Sequence, residues 1–241
     1  MAFEFMPLKK AAAHARIDER ELRHVAQRGE IQHLKRGDDF FFERRVLDEW
    51  SQRRILGLPP AKLAPQHRQT TSDARAVNDG RDAIVQELLS RGVVEPAMQS
   101  KTKPAVLRDI VALSDATGNL FDPAALLSEL AAREEAASTA VGGGAAFLHA
   151  RFHDPYLAAE SFISLARTPN PIFFGAQDGE GTDIFFLVCC TDQRQHLHAL
   201  ARLCLLVHGT DLLDNLRAAP DAESMSALVA AAENEWLGAN S

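Results

Sequence analysis

The sequence predicts an α/β layered domain, helices flanking a few apolar strands, preceded by a small module of helix, turn, helix, hairpin and helix. Three observations predict it. Beyond about residue 81, segments of helical periodicity alternate with short apolar runs such as IFFLVCC, the pattern of helices packed on a sheet. Residues 1–58 hold 12 Lys/Arg against 10 Asp/Glu, a net of +2, whereas the remainder holds 14 against 23, a net of −9. Between the two lies LPPAKLAPQHRQTTSDARAVNDGR, with three prolines and few large apolar residues, which reads as a linker over 59–80 joining a module at 1–58 to a domain at 81–241.

Composition bounds the function. With 241 residues, 46% hydrophobic and 24% charged, the chain has ordinary globular values and room for a buried core. It contains no run of eighteen apolar residues, and MAFEFMPLKK places its charges after a short apolar stretch, where a secretory signal places them before. A protein without membrane insertion is expected. Three cysteines, with Cys189 and Cys190 adjacent in an apolar run, suit buried thiols in a reducing cytoplasm better than a disulfide framework.

In the first module, residues 7–16 form a short helix candidate. Asp18 can cap a second, DERELRHVAQRGE, with Glu21 three positions on as in a capping box and Gly29 as its stop. Leu22 and Val25 then face inward, and Arg20, Arg23, His24 and Arg28 form a basic outer stripe. Two extended segments around a Gly37 turn follow, then a closing helix with Val46, Leu47 and Trp50 as core. This is a winged-helix plan. Ala11, Ala12, Leu22, Arg23, the Arg28-Gly29-Glu30 triplet, Leu47 and Trp50 resemble the excisionase and MerR-type helix-turn-helix family over about the first 55 residues. The resemblance implies a second helix in the DNA major groove, with Arg20, Arg23 and Arg28 contacting phosphates or guanines. The expected wing departs from the family in carrying Asp38, Asp39 and Phe40 to Phe42 instead of basic residues. Two carboxylates beside a phosphate backbone repel it, so docking to a protein is the alternative role of the module.

In the larger part, helix candidates cover IVQELLSRG, PAVLRDIVALSDATG and DPAALLSELAAREEA, the last started by Asp122-Pro123. Strand-like AAFL, FISLAR and IFFLVCC follow, with a turn-rich TPNPIFFGAQDGEGTD between the last two. A long helix runs from Gln193 to near His208, and a last one from Ala222 to Trp236. His149 stands after three glycines and a strand, with His153 four residues on, and His196 and His198 at the start of the long helix. Glycine runs allow a backbone to approach an anion, and an arginine such as Arg133 forks two donors toward phosphoryl oxygens. A metal site built from HARFH and HLH is the inorganic alternative, disfavoured because no carboxylate or thiol stands at ligand spacing beside either pair.

The segment REEAASTAVGGGAAFLHAR resembles the phosphohistidine segment of the phosphotransferase-system EIIA domains of the fructose, mannitol and nitrogen-regulatory type, with Arg133, Glu134, Ser138, Thr139, Gly142, Gly144, Ala146, His149 and Arg151 on the pattern. PIFFGAQDGEGTDIFFLV and DQRQHLHALARL resemble the family's strand approach and the helix of its second histidine, here His196. The family's proline before the active histidine is Leu148 here, Ala140 replaces a glycine, and Gly181 replaces a proline.

The resemblance implies an α/β sandwich with a mixed sheet flanked by helices. It also implies a phosphoryl relay in which an HPr-like phosphocarrier phosphorylates His149. His196 and Arg133 would then assist, and Ser138, Thr139 and Gly144 would bind phosphate, with no metal or small cofactor. Fused to a DNA-binding-like module, such a domain is expected to regulate DNA or partner binding; the alternatives are a component passing phosphate to an EIIB partner in sugar transport, and a docking adaptor that has lost its chemistry.

Overall fold

The computed structural model describes residues 4–58, 62–63, 84–151, 154 and 156–239. The expected linker, 59–80, lies outside the described residues except for 62–63, where Leu63 is buried in the core of the larger part.

The first 58 residues build β1 (Phe5–Pro7), α1 (Leu8–Ala15), α2 (Glu19–Gln27), β2 (Leu34–Arg36), β3 (Asp39–Glu43) and α3 (Arg44–Gly57). Asp18 caps α2 by accepting from the Arg20 amide at 2.8 Å. Glu21 does not return the bond of a capping box; it pairs with Arg54 of α3 at 2.5 Å and so ties two helices together. Gly29, at φ +74°, ends α2, with the Glu30 amide reaching back to the Val25 carbonyl. Gly37, at φ +62°, turns β2 into β3, and β1, which carries no sequence signal of its own, adds to the far edge of β3. Phe40, Phe42, Leu22, Leu47 and Trp50 close a small core, each large side chain contributing about 1.5–3 kcal/mol by leaving water.

The larger part runs α4 (Ile84–Leu89), β4 (Val94–Glu95), α5 (Lys103–Asp115), α6 (Pro123–Ala136), β5 (Ala140–Gly142), β6 (Ala145–Leu148), β7 (Phe162–Ile172), β8 (Thr182–Cys189), α7 (Gln193–Gly209), α8 (Leu212–Ala218) and α9 (Ala222–Ala239). Thr102, Asp122 and Asp192 cap α5, α6 and α7 through their side chains. The sheet order is β4-β7-β8-β6-β5, with β6/β8 and β4/β7 parallel and β7/β8 and β5/β6 antiparallel. It is a mixed sheet between helices. Successive residues alternate faces: Ala145, Phe147, Ile184, Phe186 and Val188 enter a core under α4, α7, α8 and α9, while Ala146, Leu148, Phe185, Leu187 and Cys189 enter one under α5 and α6.

Two sequence readings are corrected. The turn-rich segment after Arg167 continues as strand to Ile172, because a register shift between Arg167 and Ile172 accommodates Pro169 and Pro171. The glycine run is preceded by a strand, β5, so Gly142 to Gly144 form a hairpin tip with φ between +64° and +86°. Gly181 stands where the family has proline because a Cβ there would lie 2.7 Å from the Cβ of Pro171.

The two parts touch through α3 and α7. Ile55, Leu56 and Leu58 rest on the core beneath α7, and the Cys204 thiol of α7 lies 3.9 Å from the Ile55 carbonyl. Gln52 on α3 is 1% exposed, and Glu49 reaches Arg151, two residues after His149, at 3.5 Å.

Candidate functional site: a buried histidine pair with an arginine

His149 leaves the C-terminal end of β6 with the parity of Ala145 and Phe147, which directs it toward α7. Three groups meet there. The Nδ1 of His149 donates to the Phe147 carbonyl at 2.7 Å, which assigns the proton to Nδ1 and leaves Nε2 with its lone pair. That Nε2 accepts from Nε of Arg133 at 3.2 Å, and the His196 ring lies 5.4 Å from the His149 ring, centroid to centroid. His198, two residues along α7, is also buried, but the ring contact with His149 is made by His196.

Burial, then the neighbouring Arg133 guanidinium and then His196, hold His149 well below the ordinary histidine value of 6.5; the Phe147 carbonyl opposes them. The imidazole is neutral at pH 7. Burial also pushes Arg133 down, while Glu134 and Glu49 beside it pull it back. Arg133 is positioned by donating to the Ala137 carbonyl at 2.6 Å where α6 ends. Its neighbour Glu134 is held by Lys103 at 3.0 Å and accepts from both the amide and the hydroxyl of Thr139. Lys103 carries no motif signal in the sequence; its role follows only from the packing of α5 against α6.

Of the predicted phosphate-binding residues, Ser138 lines a cavity of about 440 Å³ with Arg133, and its hydroxyl donates to the Phe174 carbonyl at 2.8 Å. Thr139 is committed to Glu134. Gly144 is not brought to His149: it stands at the other end of β6, and the space its Cβ would take is filled by Arg217, 2.3 Å away. The hairpin amide of Gly143 is used elsewhere, donating to Asp178 at 3.0 Å. Arg217 clamps the tip by a fork onto Asp183, at 2.8 and 2.9 Å, and a bond to the Gly143 carbonyl at 2.6 Å. The glycines serve the turn and this clamp.

The predicted DNA-contacting stripe is exposed, but Arg23 pairs with Glu19 at 3.8 Å and Arg28 with Glu30 at 2.5 Å. Arg20 is exposed with no ion pair recorded among the described residues. His153 lies outside the described residues, and no metal-holding cluster of His, Cys, Asp or Glu occurs among those described. Cys189, Cys190 and Cys204 are buried free thiols; burial raises all three, Cys189 and Cys204 to about 12. They fill core and do not ionise near neutrality. No helix among the described residues is long and apolar enough to cross a membrane.

Residues 87–232 match the family described as phosphoenolpyruvate-dependent sugar phosphotransferase system, EIIA 2. The chain belongs to this EIIA family. It is 31% identical over 149 residues to a nitrogen regulatory protein of Bradyrhizobium diazoefficiens, covering 61% of this chain and 94% of that one. It is 28% identical over 147 residues to the fructose-specific EIIABC component of Bacillus subtilis, covering 60% of this chain and 22% of that one. The crystal structure of nitrogen regulatory protein IIA-Ntr from Neisseria meningitidis shares the fold at a TM-score of 0.52 and 22% identity, over 61% of this chain and 99% of that one. The EIIA match begins at residue 87 and leaves the first module outside it.

Proposed function

We propose that this protein is a phosphotransferase-system regulator whose EIIA domain accepts a phosphoryl group from an HPr-like phosphocarrier on Nε2 of His149. One observation carries the reading: a neutral imidazole with its Nδ1 proton fixed on the Phe147 carbonyl and its Nε2 lone pair beside the Arg133 guanidinium. In the transfer, the lone pair of Nε2 forms the new N–P bond while the donor's N–P bond breaks and its electron pair returns to the donor nitrogen. The proton stays on Nδ1, hydrogen-bonded to the Phe147 carbonyl, which stabilises the ring as it gains positive character. Arg133 neutralises equatorial oxygens and His196 packs against the acceptor ring and orients it, while the Ser138 hydroxyl on the cavity wall serves phosphate only by turning away from the Phe174 carbonyl. Glu134, Lys103 and Thr139 position Arg133.

The first module is read as a winged helix-turn-helix that couples the phosphorylation state to DNA or partner binding in the cytoplasm. Arg20, Arg23 and Arg28 of α2 and the turn after it are its DNA-facing residues. A protein partner is favoured by the carboxylates on Arg23 and Arg28 and by the exposed Asp38 and Asp39 of the hairpin. The test is intact-mass analysis after incubation with phosphoenolpyruvate, enzyme I and HPr. A single acid-labile phosphate on the wild type, absent from His149→Ala, is expected; an unlabelled wild type beside a labelled control EIIA rules the reading out.

A further inference from the structure

We infer that the N-terminal module caps the phosphoryl-acceptor face of its own EIIA domain, so that docking of the module and docking of a phosphocarrier are mutually exclusive. The inference rests on the acceptor reading of His149. Four observations carry it. His149, Arg133 and His196 are 0, 1 and 5% exposed. Helix α3 packs along α7, the helix that presents His196. The cavity beside Arg133 is walled on one side by Arg53 and Leu56 of α3 and on the other by Ser138, Gly143 and His208. Glu49 of α3 ion-pairs with Arg151, on the segment leaving His149.

An in-line transfer between two proteins brings the phosphorus to about 3–3.5 Å from the accepting nitrogen. A carrier covers hundreds of square ångströms around that point, even in the smallest transient complexes. An imidazole with no exposed surface, beside a helix that occupies the adjoining face, admits no such approach until the helix leaves. The Glu49–Arg151 pair also sets the sign of the coupling. A phosphoryl group adds roughly −1.5 to −2 charges, which attract Arg151 and repel Glu49. Phosphorylation thus loosens the clasp that holds α3, and the module is released with its DNA- or partner-facing surface free to move.

The experiment uses the full chain. Glu49→Arg turns the clasp into a repulsion and Leu56→Asp puts a charge into the apolar contact. Carbethoxylation of His149 by diethyl pyrocarbonate, mapped by peptide mass, reads exposure of Nε2 without any carrier. Both this rate and initial phosphate acceptance from charged HPr are expected to rise about tenfold in each variant. The swap Glu49→Arg with Arg151→Glu restores the clasp and returns carbethoxylation to the wild-type rate, which a merely unfolded module would not do. Carbethoxylation at the wild-type rate in both opened variants, a failed rescue, or faster carbethoxylation with unchanged acceptance overturns the inference. Faster carbethoxylation with no phosphate on any form instead retires the acceptor reading, and the competition falls with it.

Discussion

Arg133→Met removes the guanidinium without emptying the space, and its effect on phosphate acceptance divides into two opposing parts. The ground state loses the 3.2 Å donor to Nε2 and the positive charge that helps hold His149 neutral. The imidazole pKa rises and Nε2 becomes a more basic nucleophile. The transition state loses a buried, charged donor aimed at the equatorial oxygens, an effect of about 2.7–4 kcal/mol, or roughly 100- to 1000-fold in rate. The first part returns at most a fraction of this, because burial, the largest cause of the depressed pKa, is unchanged. The net expectation is a loss of at least about 100-fold in the single-turnover rate from charged HPr, followed by intact mass. Arg133→Lys keeps a charge but loses the fork and the bond to the Ala137 carbonyl, so it should fall between the two. Thermal melts establish that each variant is folded. A folded Arg133→Met that accepts phosphate within about threefold of wild type, well short of the 100-fold expectation, would refute the assigned role.

Because His149 is depressed in the folded state, the unfolded chain binds the extra proton below pH 6.5, so the stability associated with it is complete above that pH and is lost as pH falls toward the folded value. Denaturant titrations of wild type and His149→Gln should diverge by up to about 1.4 kcal/mol per pH unit below 6.5, and acceptance by wild type should stay flat from pH 8 to 6. Glu233 and Arg202 form a buried pair at 3.0 Å, and Glu233 also caps the start of α4 through the amides of Val85 and Gln86. Glu233→Ala should cost about 3–5 kcal/mol in chemical denaturation, whereas the double change Arg202→Met with Glu233→Leu should cost less than Glu233→Ala, because no unpaired buried charge remains and only the Val85 and Gln86 amides lose their acceptor. Gly144→Ala forces a side chain into φ +86° against Arg217; about 1–3 kcal/mol of stability should go, with phosphate incorporation on the folded fraction unchanged.

The parts of the fold that continuous apolar runs and capping control were legible in the sequence. Ala145 to Leu148 and Ile184 to Cys189 bury both faces between two cores and so read as unbroken apolar runs, and Asp18 and Asp122 start helices by local bonds. What escaped depends on partners remote in sequence. A three-residue strand such as Ala140–Gly142 has no periodicity to detect, and it exists because β6 pairs with it. Pro169 and Pro171 argued for a turn, and only the register shift against β8 keeps that stretch extended. At the site, Arg133, His149 and His196 were marked by the resemblance of their segments to the EIIA pattern. The anion-cradle reading of Gly144 came from the run of glycines, and Arg217, 73 residues further on, gives those glycines a different purpose. The salt links Lys103–Glu134 and Glu49–Arg151 join residues that no local pattern connects.

The carboxylate of Glu233 has a consequence for the order of biosynthesis. It supplies the acceptor for the first turn of α4 from 148 positions away, so the opening helix of the EIIA domain stays uncapped until nearly all of that domain has been translated. The N-terminal module draws its own core from within 58 residues, so that core can close as soon as it clears the ribosome. The module therefore folds before the domain it packs on, and α3 is in place to meet α7 from the moment that helix forms.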